Sequence, residues 1–316
     1  MSDRLQKYLA PVIVLIAILA LWEGLVAAFQ IEKFLLPRPS VILANFAQVF
    51  IFEAEDAAAS TTPVPPPTTD QLLVFVPAQA SRDKLESALA RNFAEFSLFG
   101  NQVVLVKGAN LDPILQAAFY TLREALGGFT LGCTLGVLVA LATARWTLSR
   151  EALMPFAIAA NSTPIIAFAP IMNNWFGLDK PFSKMAIVAI MVFFPMMINT
   201  VRGLISVDPR SLELMRSYAA TEFEILFKLR LPTCLPYLFN GFKVAAALSM
   251  IGAVVGEYFG GPRIALGVFI TQEAALFRFA SAWAAIIVAC ILGIALYLVI
   301  LAAERLAMPW HVSFRN

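Results

Sequence analysis

Groups that usually carry chemistry are scarce in this chain of 316 residues. It has one histidine, three cysteines and only 14% charged residues, whereas soluble domains carry about a quarter. His311 alone cannot build a metal site. Cys133, Cys234 and Cys290 lie in or beside apolar runs without CxxC spacing, which is typical of packed thiols. We therefore expect no metal site and no cofactor bound by this chain, and the net charge of +2 does not indicate nucleic-acid binding.

The sequence also lacks the signatures of two enzyme classes. Without a GxxxxGK[ST] phosphate-binding loop, the chain is not expected to hydrolyse ATP. A membrane-embedded enzyme would need paired carboxylates, a nucleophile with a base, or a histidine cluster within its apolar segments. The sequence supports none of these, so we predict no catalytic residues and no enzyme.

Long apolar runs are what the sequence has in excess. Hydrophobic residues make up 60% of it, the mean hydropathy is +0.78, and the runs are about as long as the 20 or so residues that cross a bilayer. They predict an all-α membrane protein with six transmembrane helices, at about Leu9–Phe29, Tyr120–Ala144, Ala152–Phe176, Met185–Thr200, Leu235–Phe259 and Ala282–Ala303. The first run is too long for a signal peptide and is expected to be retained.

Local patterns divide the chain into four parts. Residues 1–52 hold the first span and an interfacial helix that begins at Pro39 and Ser40. Residues 53–111 are a linker and an insertion, residues 112–306 are the membrane core, and residues 307–316 are a tail. In the insertion, the β-rich runs "QLLVFVPA" and "NQVVLVKG" flank the helical run "SRDKLESALARNFAEF". They predict a small α/β-like fold between helices 1 and 2, with a partly disordered loop as the alternative.

Glycines in the second span and prolines in the third span predict how these two helices pack and bend. Gly128, Gly132 and Gly136 recur at every fourth position of the second span and predict close contact with another helix. Three prolines should break the third span.

The positions of lysine and arginine predict the orientation. The N-terminus, the loop between spans two and three, the segment between spans four and five, and the tail carry most basic residues, so they are expected in the cytoplasm. The insertion would then be extracytoplasmic. Lys180, Lys184, Arg263 and Arg278 are exceptions, interpreted as belonging to short external turns.

Residues 208–232, between spans four and five, form the most informative segment. Asp208 and Pro209 are a strong helix start, and Glu224 with Lys228 should pair across one helical turn. Pro232 and Pro236 are expected to end the segment and to start the next span. The pattern predicts two short helices on the cytoplasmic surface, which either rest their apolar face on the bilayer or dock onto a partner.

The same segment resembles the EAA loop of ABC importer permeases. Glu213 matches the glutamate of that consensus, Leu229 its late apolar position, and Leu231 with Pro232 its ending, whereas Ala219 replaces its glycine. The blocks "LLPRPSVI", "NNWFGL", "FFPMMINTVRGLISVDPR" and "GEYFGG" resemble those of the nitrate, sulfonate, taurine and pyrimidine-precursor permeases. The resemblance covers residues 1–50 and about 112–310, and not the insertion.

This resemblance implies a type I ABC importer permease of the bacterial inner membrane, with cytoplasmic termini. Its expected partners are a cytoplasmic ATPase dimer that uses ATP, a second permease copy, an extracytoplasmic substrate-binding protein and the lipid bilayer. The residues implied in ATPase coupling are Glu213, Met215, Arg216, Tyr218, Ala219, Phe223 and Pro232. Because alanine disfavours a left-handed turn, we predict a continuous or differently bent helix at Ala219.

Polar residues within the spans are candidates for the substrate pathway. They are Asn161, Ser162, Thr163, Asn173, Asn174 and Glu257. For the first three the alternative is hydrogen bonding at a helix kink, for the two later asparagines it is helix capping, and for Glu257 it is pairing with Arg263 or Arg278. Arg123 is interpreted as reaching the membrane surface or pairing, and Lys243 as reaching the membrane surface.

The sequence leaves the substrate open. Few cations along the spans favour a small heteroaromatic solute, such as a pyrimidine precursor or a flavin, and anions of the nitrate, sulfonate or taurine type are the alternative. An ATP-independent secondary transporter is the alternative class, although the sequence shows no convincing internal repeat of the kind such proteins carry.

Overall fold

The structure is a computed structural model and describes residues 3–31, 36–48, 52–53, 73–76, 92–98, 101–106, 113–144 and 155–309. Its helices are α1 (Asp3–Ala28), α2 (Pro39–Gln48), α3 (Pro113–Ala144), α4 (Pro155–Asn161), α5 (Ala169–Phe176), α6 (Pro181–Ile205), α7 (Pro209–Ser217), α8 (Glu222–Ile225), α9 (Leu231–Tyr258), α10 (Leu266–Ala275) and α11 (Phe279–Ala307). Its strands are β1 (Phe52–Glu53), β2 (Leu73–Val76), β3 (Asn92–Leu98) and β4 (Asn101–Val106).

The chain divides into two compact units. One comprises Met1–Ala117 with Phe269–Val288, and the other comprises Ala118–Val268 with Ala289–Asn316. Because α3 and α11 each contribute residues to both units, the units are not separate stretches of the sequence.

In the first unit, α2 is tied to α1 through its first turn. The backbone N–H and the hydroxyl of Ser40 donate to the Glu23 carboxylate at 3.1 and 2.8 Å. A carboxylate is favoured there because the first N–H groups of a helix lack helical partners. Glu23 therefore fixes the start of the predicted interfacial helix.

The described strands of the first unit form one sheet in the order β1-β2-β4-β3. Strands β2 and β4 lie within the two runs predicted to be β-rich. Residues 92–96 were predicted to be helical, and this prediction was wrong because they belong to β3. The residues of β3 pair with β4 from Asn92 to Leu98, and this antiparallel register overrides the helical period. The rest of the predicted helix, residues 81–91, lies outside the described residues, as does most of the linker.

The second unit has a core in which α3, α6 and α9 pack together. Its fully buried side chains are mostly small or flexible, including Ala125, Val188, Met196 and Ala253. The predicted glycine face of α3 contacts α6, since a Cβ at Gly132 would overlap Val192 and the backbone of Ala189. Here the sequence prediction is confirmed.

The third predicted span is broken, as its prolines indicated. Helix α4 ends at Asn161, and a 3₁₀ turn at Ile165–Phe168 leads into α5. The two halves are bent by 76°. The break exposes backbone groups that a straight helix would satisfy internally, which a membrane protein tolerates inside protein or along a cavity.

Among the described residues, four helices are long and apolar enough to cross a membrane, or five if the bent pair counts as one span. The apolar part of α1 in the described stretch, Ile13–Ala28, is shorter. The six predicted spans therefore stay a prediction. Helix α10, between the last two spans, was not predicted.

Candidate functional sites

The segment between α6 and α9 begins as the sequence predicts. The Asp208 carboxylate accepts a hydrogen bond from the N–H of Arg210 at 3.2 Å, and Pro209 occupies the first turn of α7. Proline suits this position because the missing N–H would have no helical partner. Helix α7 is therefore defined at its start by its own sequence.

Helix α7 ends in a left-handed turn at Ala219, so the predicted continuous or differently bent helix was wrong. Ala219 has φ of +55°, the conformation that a glycine would favour. The N–H of Ala220 donates to the Met215 carbonyl at 3.1 Å, and the N–H of Ala219 donates to the Arg216 carbonyl at 2.9 Å. These two bonds form a Schellman motif. Their contribution, about 1 kcal/mol each, offsets the cost of the left-handed alanine.

A capping box starts α8 directly after this turn. The Thr221 hydroxyl accepts from the N–H of Glu224, and the Glu224 carboxylate accepts from the N–H of Thr221 at 3.0 Å. Lys228 completes the predicted pair with Glu224 at 3.0 Å. The Thr221 N–H, followed by Lys228, lowers the pKa of Glu224 to about 2. Glu224 precedes the predicted fifth span and therefore keeps its charge in neutral water.

The segment continues into α9 without the end predicted at its two prolines. Helix α8, a π turn at Leu226–Arg230 and α9 form one helical stretch. Pro232 lies in the first turn of α9, and Pro236 lies inside the helix. Since proline cannot donate the usual bond to the carbonyl four residues earlier, helical continuity at Pro236 was not readable from the sequence.

Three aromatic side chains of this segment are exposed. Tyr218 is 78% exposed, Phe223 is 70% exposed, and Phe227 is exposed as well. The ring centroids of Phe223 and Phe227 are 4.4 Å apart. The other predicted coupling residues lie in the same segment. Glu213, Arg216, Ala219 and Pro232 are exposed, and Met215 is half-buried. The result is an apolar patch with charged residues around it.

The predicted pathway residues of the third span lie at its break. Asn161, Ser162 and Thr163 are exposed, and the two hydroxyls donate to the carbonyls four residues earlier in the chain. A small apolar cleft lies beside the break, lined by residues that include Ile165, Ile166, Ile187, Met191, Ile251 and Val255.

The two predicted asparagines of α5 differ in their surroundings. Asn173 is buried, and its amide donates to the Phe259 carbonyl at 3.2 Å, while its carbonyl accepts the N–H of Gly177 at the end of α5. Asn174 is exposed. The Asn173 side chain therefore joins the ends of α5 and α9, whereas the residue's bond with Gly177 is an ordinary main-chain bond of the helix.

Glu257 is fully buried, and its partners differ from those considered. Its carboxylate accepts from the Thr121 hydroxyl at 2.7 Å and from the N–H of Gly267 at 2.6 Å. Arg278, one of the considered partners, lies 3.7 Å from Glu273 instead. Glu257 thus connects α3, α9 and the first turn of α10.

Sequence reasoning missed two other buried charges. Glu124 on α3 and Lys184 on α6 are both fully buried, although Lys184 was assigned to an external turn. Lys243, which was interpreted as reaching the membrane surface, instead pairs with Glu304 at 2.9 Å. Charges that lie far apart in the sequence but meet between spans leave no local pattern, so only the fold could reveal them.

Similarity to known proteins shows both the class and the family of this chain. The chain is a polytopic helical membrane protein, and residues 132–308 match the family model described as binding-protein-dependent transport system inner membrane component. Since this match covers more than half of the chain, the protein belongs to that family of ABC transporter permeases.

Two relatives share about a third of their aligned residues with this chain. The formylaminopyrimidine transport permease ThiX of Halalkalibacterium halodurans is 33% identical, covering 58% of this chain and 73% of its own. The riboflavin transport permease RibX of Chloroflexus aurantiacus is 34% identical, covering 63% and 73%. The taurine permease TauC of Escherichia coli is 26% identical, covering 64% and 69%.

Proposed function

We propose that this chain is the membrane subunit of an ATP-driven importer and that its segment α7–α8 binds a cytoplasmic ATPase subunit. The observation that carries the proposal is the exposed aromatic patch of Tyr218, Phe223 and Phe227. An exposed apolar patch rimmed by charges is typical of a protein-binding surface. The caps at both ends of α7 and at the start of α8 keep the patch in one geometry, which reduces the entropy lost on binding.

In this proposal, the segment transmits movement of the ATPase to the spans. The helical stretch from α8 through α9 links the patch directly to the predicted fifth span. Closure of two ATPase subunits around ATP would displace α7–α8 and shift the spans between inward-open and outward-open states. A second copy of this chain and an extracytoplasmic binding protein complete the proposed importer.

We propose a small heteroaromatic solute as the substrate. Two relatives with 33% and 34% identity are named for transport of formylaminopyrimidine and riboflavin. The predicted pathway residues at the break of the third span are uncharged amides and hydroxyls, and the neighbouring cleft is apolar. Such a lining suits a flat, uncharged molecule better than an anion. Taurine- or sulfonate-type anions are the second candidate because relatives with lower identity are named for them.

The experiment measures ATPase binding and solute uptake by the complete complex. In Tyr218→Ala and Phe223→Ala variants, we expect ATPase affinity to fall at least tenfold and uptake to fall with it, since buried aromatic anchors contribute about 2 kcal/mol or more. Phe277→Ala is the matched control, because Phe277 is 68% exposed but lies between α10 and α11.

Two outcomes would contradict the proposal. If both variants bound the ATPase as well as wild type does, α7–α8 would not be the docking segment. If proteoliposomes accumulated solute without ATPase or ATP, the chain would be a secondary transporter. The two substrate classes are separated by measuring the uptake of labelled riboflavin in the presence of unlabelled formylaminopyrimidine or unlabelled taurine. Inhibition by formylaminopyrimidine supports a heteroaromatic substrate, and inhibition by taurine supports an anion.

A further inference from the structure

Three ionisable side chains are buried in the second unit, one each on α3, α6 and α9. Glu124, Lys184 and Glu257 are each 0% exposed. The Lys184 ammonium donates to the Leu178 carbonyl. With both carboxylates ionised, the cluster would hold two negative charges and one positive charge away from water. An unbalanced buried charge costs several kcal/mol.

The two carboxyl groups have very different hydrogen-bond partners. Glu257 accepts from Thr121 and from Gly267. Both oxygens of Glu124 are buried without a hydrogen-bond partner among the described residues. Glu124 lies one helical turn after Thr121, whose hydroxyl donates to Glu257, so both carboxyl groups lie at the same side of α3. Tyr120 and Lys184 are the other ionisable groups near Glu124.

A single proton shared by the two carboxyl groups would reduce the unbalanced buried charge and would give Glu124 a hydrogen-bond partner. Two ionised carboxylates accept hydrogen bonds but cannot donate one, so neighbouring carboxylates repel unless one carries a proton. The two donors on Glu257 favour its charged form, which leaves Glu124 as the group that takes up the proton. The remaining Glu257 charge is then balanced by Lys184.

We propose that Glu124 binds one proton in the resting protein and donates it in a hydrogen bond to Glu257. The site binds a proton rather than a metal cation, because Glu257 is already held by Thr121 and Gly267 and the free oxygens of Glu124 alone are too few to ligate a metal. This proposal does not depend on the identity of the transported solute or on ATPase docking.

The bound proton also stabilises the position of α10. Thr121 accepts from the N–H of Leu266 at 2.9 Å and donates to Glu257, which in turn accepts from Gly267. Loss of the proton would place two repelling carboxylates beside the contact that holds the first turn of α10. Protonation and the hydrogen bonds of the Leu266 and Gly267 amides are therefore coupled.

Infrared spectroscopy of the full-length protein in lipid nanodiscs tests the site. At neutral pH, wild type should show the carbonyl-stretch band of a protonated carboxyl group, shifted in heavy water. Glu124→Gln should abolish the band. Glu257→Gln should abolish it too, because the new amide can donate to Glu124, which then ionises beside Lys184. Glu304→Gln is the matched control and should keep the band, because Glu304 is buried but paired with Lys243.

If either Glu124→Gln or Glu257→Gln does not fold, the other variant still tests the proposal. Absence of the band in wild type, its persistence in either folded variant, or its loss in Glu304→Gln would overturn the proposal. A band that appears only when sodium is removed would identify a metal cation in place of the proton and would also overturn it. The pH at which the band disappears should match the pH at which the Leu266 and Gly267 amides begin faster hydrogen exchange.

Discussion

At the scale of single residues, Ala219 shows how hydrogen bonds can override an intrinsic preference. Left-handed backbone disfavours alanine by about 1–2 kcal/mol, yet the carbonyls of Met215 and Arg216 gain partners only in this conformation. The helix end is therefore specified by its unsatisfied carbonyl groups as much as by the residue at the turn.

Ala219→Gly should stabilise the end of α7 because glycine adopts the left-handed turn without strain. We expect a gain of about 1 kcal/mol, or roughly fivefold slower hydrogen exchange of the last α7 amides. Ala220→Gly is the control one position later, where φ is not positive, and should leave exchange unchanged or make it faster. Equal effects of both substitutions would show that the turn carries no strain.

Other residues mark the limit of what the sequence could predict. The caps at Asp208 and Thr221 and the Glu224–Lys228 pair depend on neighbours within four residues, and the starting cap at Asp208 and the pair were predicted from the sequence. The cluster around Glu124 joins residues more than 50 positions apart, and its members look like ordinary span-end charges in the sequence. Local chemistry is readable from a sequence, whereas contacts between spans are not.

At the scale of elements, hydropathy predicted the long helices well because each must present an apolar surface along its whole length. Helix α10 was not predicted because "LGVFITQEAA" is short and three polar residues interrupt its apolar run. Strand β3 was assigned as helix because its spacing alone fits both periods. Its pairing with β4, rich in valine, decides the conformation.

The contact between α3 and α6 depends on the absence of a side chain at Gly132. A methyl group there would overlap the backbone of Ala189, which cannot rotate away. Gly132→Ala should therefore destabilise the protein by about 1–3 kcal/mol and lower its thermal unfolding temperature in detergent.

Gly24→Ala is the matched control for this contact. Gly24 also lies inside a helix, but no atom lies within 4 Å of the position of an added Cβ in the described structure. Its substitution should stabilise slightly, since alanine favours helix by about 1 kcal/mol. If both substitutions changed the stability by the same amount, close packing at Gly132 would not explain the glycines of α3.

At the scale of the whole molecule, the bent third span decides the topology. A straight helix of 19 residues would be about 28 Å long, close to the roughly 30 Å of a bilayer core. Helices Pro155–Asn161 and Ile165–Phe176 are bent by 76°, so together they reach less far. Either the chain before α4 completes the crossing, or the pair enters and leaves the membrane on the same side.

Cysteine labelling distinguishes these two topologies. Three crossings separate β3 from α7 if the bent pair spans the membrane, which places these two elements on opposite sides. A re-entrant pair leaves two crossings and places both on the same side. The basic residues on either side of α7 predict that α7 lies in the cytoplasm, and we expect the first topology, with β3 on the opposite side. After replacement of the exposed Cys290 by serine, Ser97→Cys should react with an impermeant maleimide in intact cells, and Ser217→Cys only in inverted vesicles. Reaction of both from outside would make the bent pair re-entrant, put the aromatic patch outside the cell and exclude ATPase docking there.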